Sequence, residues 1–166
     1  MAFEETFGAD WPDVLQAPML AGLAITAADP GGLIGAVRES AALAHSLKSG
    51  LDAAADGSLI AEVVAAYGTS DGRSMTTHGL RSLVKGKAPA EACAAAIARL
   101  AEIMALVRQK APGEAPAFAE WLHATAARVA EAASEVGFLG IGGERVSEAE
   151  RKTLVDLAVA LAAPTV

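Results

Sequence analysis

Three groups of residues have types and spacings that could do chemistry. Gly68-Thr69-Ser70-Asp71-Gly72 fits the pattern G-x-S-x-G. That pattern makes Ser70 a nucleophile only on a sharp strand-to-helix turn, with an acid and then a histidine following in the chain. Here His123 precedes any late acid such as Asp156, and no glycine run upstream offers an oxyanion loop. Serine among turn glycines also arises for purely structural reasons, so a Ser70 hydrolase is the weakest of the readings. Glu120-Trp121-Leu122-His123 is a Glu-x-x-His, which on a helix puts Glu120 and His123 on one face. Di-metal carboxylate bundles need two such motifs and a further Glu from each of two other helices. Only one copy exists, with Glu39 and Glu62 as lone carboxylates that could join it. The third group, Arg73, Arg81, Lys85 and Lys87 with His78 among them, is the one basic stretch in a chain of net charge -7. Its ordinary role is a solvated helix face paired with acidic neighbours. The alternative is docking of an anionic ligand or partner.

The loop Gly137-Phe138-Leu139-Gly140-Ile141-Gly142-Gly143 is unusual in another way. Its glycines free the backbone, yet Phe138, Leu139 and Ile141 are too apolar for a solvated linker. They either anchor the loop in the core or form an exposed apolar lip for a partner or a membrane surface. Neither G-x-G-x-x-G nor G-x-x-x-x-G-K-[ST] is present, so no phosphate loop is expected.

The elements that must position these residues read as helices. Alanine makes up about a quarter of the chain, and alanine has the best helix propensity. The expected fold is all-α: a compact single-domain bundle of about seven helices with short Gly/Pro turns. Residues 1–10 are expected as a loose arm, with Phe3 and Phe7 able to fold back. A helix then opens at Asp10-Trp11-Pro12-Asp13, is interrupted at Pro18, and continues to about Ala28. Asp29-Pro30-Gly31-Gly32 turns the chain. A helix over about 32–49 follows, stopped by Gly50, with His45 at its surface. Ser58 opens a run through Leu59, Val63 and Tyr67, and Gly68–Gly72 is a turn. A short helix runs from Arg73 to Lys85 with Met75, Leu80, Leu83 and Val84 inside. Pro89 begins a long helix to about Lys110, and another runs from about Ala115 to Val136. The clearest start is Ser147-Glu148-Ala149-Glu150, a capping box that opens a last helix. Leu154, Leu157 and Leu161 form its apolar stripe, broadened by Val155 and Val159.

Composition narrows the function. The acidic balance argues against a dedicated nucleic-acid binder. The single Cys93 excludes an internal disulfide and a cysteine-based zinc site, and is expected as a small buried residue. The opening MAFEETFGADWPD lacks a basic region, so no signal peptide is expected. No apolar run of about 18 residues is free of charge, Gly or Pro breaks, so no membrane span is expected. A reducing cytoplasmic setting follows. No cofactor is implied.

The closing unit resembles the helical tellurite-resistance TerB-like family. The resemblance lies in the alanine-rich helix Ala124–Ala133, a glycine turn, and Val146-Ser147-Glu148-Ala149-Glu150 leading to Leu154 and Leu157; Ala27-Ala28-Asp29 is a fainter match. It covers about a quarter of the chain. It implies an all-helical fold and a stress-response role with metal bound by clustered acids. Asp29, Asp56 and Glu144 would then be candidate ligands, beside Glu120 and His123. The family's Asp-Gly turn is replaced here by Gly140-Ile141-Gly142-Gly143-Glu144, so no ligand set carries over. The expected role is a non-catalytic helical protein working through protein contact or self-association, a homodimer included.

Overall fold

Residues 11–28 carry apolar side chains on every side, and a helix with no polar face has to lie inside a bundle. The computed structural model describes residues 2–28, 45, 47–50, 54–134 and 146–162. Among them are seven α-helices and no strand: α1 (Ala2–Phe7), α2 (Trp11–Ala28), α3 (Leu59–Tyr67), α4 (Ser70–Val84), α5 (Pro89–Lys110), α6 (Ala115–Ser134) and α7 (Glu148–Ala162). They form one compact all-α bundle around α2, which packs on α4, α5, α6 and α7, most extensively on α5.

The expected interruption at Pro18 is corrected: α2 runs unbroken through it, and Pro18 is itself buried. Proline removes one backbone N–H and so one helical hydrogen bond. Around it Ala17, Ala21, Gly22 and Ala24 are buried. These small residues let neighbouring helices close on α2 and keep it helical by packing.

The loose N-terminal arm is corrected too. Residues 2–7 are helical, and a 3-10 turn over Gly8–Asp10 leads into α2. Phe7 is only 1% exposed and lies between Phe3 and Trp11, with ring centroids 6.5 and 6.1 Å away. Glu62 of α3 accepts hydrogen bonds from the backbone N–H groups of Ala2 and Phe3 at 3.0 and 2.9 Å, which satisfies free donors at the start of α1. Lys110 donates to the Phe7 carbonyl at 3.0 Å and pairs with Asp10 at 2.8 Å.

Several helix starts fall where the caps place them. Ser58 accepts from the Ala61 N–H, and Glu114 accepts from the Leu59 N–H at 2.8 Å. The α5 bounds match the expected ones, with Glu91 accepting from the Ala88 N–H. At α7 the capping box is complete: the Ser147 N–H donates to Glu150 at 2.8 Å, and the Glu150 N–H donates to the Ser147 hydroxyl at 3.2 Å. Most of the helix expected over 32–49 lies outside the described residues. Gly50, expected just past its end, is still helical. A Cβ there would fall 2.3 Å from Trp121 Nε1, so the indole lies directly against the glycine.

Tyr67 fastens α3 to α2: its hydroxyl donates to the Leu15 carbonyl at 2.6 Å. Burial of this phenol pushes its pKa well above the ordinary value, and the opposing effect of the Thr76 hydroxyl is smaller. The folded state therefore keeps the proton at a pH where the unfolded chain has lost it. Stability from this group is fully present below about pH 10 and declines as pH rises beyond it. Tyr67 is the only tyrosine. In an alkaline titration followed by ultraviolet absorbance, tyrosinate is expected only together with loss of the helical circular dichroism signal. Ionisation at the ordinary tyrosine pKa with the helices intact would contradict this.

Candidate functional site

Among the described residues, a polar stripe and an apolar stripe face outward on two different helices. The first lies along α4. Thr69 caps this helix, its hydroxyl accepting from the Gly72 N–H at 3.0 Å, so α4 starts at Ser70 rather than at Arg73 as the sequence suggests. Each position of the G-x-S-x-G pattern thereby has a local structural place. Gly68 ends α3, Thr69 caps α4, Ser70 is its first residue, and Gly72 closes against the Ala66 carbonyl. Ser70 is exposed and follows a helix, not the strand that a nucleophile elbow requires.

Ser70, Arg73, Ser74, Thr77, His78 and Arg81 line a shallow open groove of about 340 Å³. Their spacings of three and four place them on one helical stripe. Arg73 donates to the Tyr67 carbonyl at 2.9 Å, and Thr77 to the Arg73 carbonyl at 2.8 Å. Ser70, Ser74, His78 and Arg81 have no side-chain partner among the described residues. Lys85 and Lys87 are exposed and lie past the end of the helix, outside the groove. Among the described residues none of Arg73, Arg81, Lys85 and Lys87 makes an ion pair, whereas Arg99 pairs with Asp13 and Glu102, Lys110 with Asp10, and Lys152 with Asp156. Met75, which the sequence pattern places inside, is 39% exposed and does not line the groove.

The second surface is on α7. Leu157 and Leu161 are buried with Thr153 and Glu150, while Leu154 is half-buried. Val155 and Val159 do not broaden that stripe: they are 63% and 67% exposed. At 100° per residue they point away from Leu157, and exposed Ala158 and Ala162 share their side. Arg108 of α5 donates to the Leu161 carbonyl, placing a cation at the negative end of α7.

The remaining candidates are dispersed. Phe138, Leu139 and Ile141, and the acids Asp29 and Glu144, lie outside the described residues. Asp56 is exposed in the turn before α3, and Glu120 is exposed on α6. His123, three residues after Glu120 on α6, turns toward α7, its Nε2 lying 3.2 Å from the Leu154 carbonyl. A carbonyl only accepts, so that nitrogen carries the proton. Among the described residues no three His, Cys, Asp or Glu side chains gather where an ion could sit. Cys93 is half-buried rather than fully buried, with its sulfur 4.0 Å from the Thr153 hydroxyl. No helix among the described residues is long and apolar enough to cross a membrane. No protein-family model, curated protein or solved structure matches the chain.

Proposed function

We propose that this chain is a non-catalytic cytoplasmic helical protein that works by contact, and that its first contact is with a second copy of itself through α7. The observation that carries this is the outward valine face. The large hydrophobic side chains that stay exposed among the described residues are Met75, Val155 and Val159, and two of these sit one turn apart on one helix. Ala158 and Ala162 beside them are small enough for another helix to approach closely. A face that meets its own copy about a two-fold axis needs no other complementary surface, and two-fold dimers are the commonest assemblies. The charges flanking the face, Glu148 at the helix start and Arg151 one turn on, have opposite sign, so like charges need not accumulate across the contact.

Light scattering across a concentration series tests the reading. The wild type is expected to rise from monomer to dimer mass, and Val155→Glu/Val159→Glu to remain monomeric with unchanged circular dichroism. The two positions are exposed, so the charges should alter folding little. A monomer at every concentration, or a dimer unaffected by the two glutamates, would sink it.

A further inference from the structure

We propose that the α4 groove binds an acidic helical segment of a partner protein, laid along the stripe from Ser70 to Arg81. The surface shares no residue with the valine face of α7, so its failure would leave self-association untouched.

Charge is the first reason. The chain carries a net charge of -7, yet residues 70–87 hold four basic side chains and one acid, Asp71, which does not line the groove. Much of the acidity elsewhere is already engaged. Glu62 and Glu114 accept from helix N-termini, and Asp10, Asp13 and Asp156 are in ion pairs. Among the described residues the cations of α4 have no such counterpart, and Arg81 is exposed.

Shape is the second reason. The lining residues belong to one helix and extend over three turns, roughly 16 Å from Ser70 to Arg81. Arg73 and Arg81 are two turns apart, so a single small anion reaches one of them and stays mostly hydrated. An isolated exposed ion pair of that kind contributes little. A helix carrying carboxylates at every fourth position repeats at about 6 Å, which matches the register of Arg73, Thr77 and Arg81. Guanidinium groups take carboxylates in bidentate fashion, and Ser70 and Ser74 add hydroxyl donors.

The probe is a fluorescein-labelled, alanine-based peptide of about 16 residues with glutamate at every fourth position, long enough to span the stripe. Fluorescence anisotropy with the full chain at low salt is expected to show saturable binding that weakens as salt is raised. The same peptide with glutamine in place of glutamate should not bind. Arg73→Glu/Arg81→Glu is expected to lower affinity by at least about tenfold, in line with lost charge-assisted hydrogen bonds. Lys85→Glu/Lys87→Glu makes the same charge change outside the groove and should lower it much less. Circular dichroism would confirm that both variants are folded. Absence of glutamate-peptide binding overturns the proposal. Equal losses in the two variants do so as well, because net charge alone would then explain the effect. Displacement of the peptide by inorganic phosphate at comparable concentration, or tighter binding of a single-stranded oligonucleotide, would assign the groove to another ligand.

Discussion

Gly72→Ala is expected to destabilise the protein by on the order of 2–3 kcal/mol, although alanine is the better helix former by about 1 kcal/mol. Gly72 lies in the first turn of α4, where its side of the helix abuts the end of α3. A Cβ there would stand 2.2 Å from the Ala66 carbonyl oxygen and 2.8 Å from its carbon. This is backbone, and it cannot turn aside as a side chain would. The same carbonyl accepts from the Thr69 N–H at 3.0 Å and from the Thr69 hydroxyl at 2.8 Å. Moving it therefore disturbs the cap of α4 together with the α3–α4 turn. Gly22→Ala is the matched control. Its Cβ would meet Val129 Cγ2 at 3.7 Å, an ordinary contact, so urea midpoints should separate the two variants clearly. A Gly72→Ala protein as stable as the wild type would mean that α3 and α4 do not meet in this way.

The second large effect is expected at Phe118, which is completely buried on α6. Phe118→Ala should cost about 3–5 kcal/mol, the usual range for truncating a buried phenylalanine to alanine. That is a large part of a typical domain's stability of about 5–15 kcal/mol. The ring also supports its neighbours. It packs on Trp121 with centroids 5.7 Å apart at 44°, and Trp121 in turn covers Gly50. The cavity should therefore loosen the contact between α6 and the helical residues 47–50. Tryptophan fluorescence in a urea titration reads both effects, as a lower midpoint and an altered native baseline. An unchanged midpoint would contradict the place given to Phe118 in the core.

The contrast between these sites and the surfaces explains what was legible in the sequence. Capped starts were readable because the capping chemistry is local: Ser58, Pro89 and the Ser147/Glu150 box each mark a helix that begins there. The central position of α2 was less so. Pro18 suggests a break when only backbone propensity is considered, and tertiary packing overrides it. The N-terminal helix carried a signal that acidity masked, since Phe3, Phe7 and Trp11 are spaced by four. Its other support, the Glu62 carboxylate, comes from about sixty residues away, and no local pattern shows it. The valines of α7 were misplaced because a stripe wide enough to take in Val155 and Val159 spans most of the helix. Only the packing of α2, α5 and α6 against it decides which apolar residues go inward. The basic stretch was legible as a cluster, but its groove depends on where α4 starts. Thr69 set that start three residues earlier than the glycines suggest, adding Ser70 to the stripe.

The central claim, that α7 turns Val155 outward to meet its own copy, can be measured most directly with a nitroxide at position 155. Cys93 is the only native thiol, so a Cys93→Ala background with Val155→Cys gives a single labelled site. At concentrations where light scattering shows dimer, pulsed dipolar spectroscopy should report one short, narrow distance between the two labels, and the label's motion should be restricted. A label that stays mobile, with no dipolar coupling at any concentration, would contradict the account.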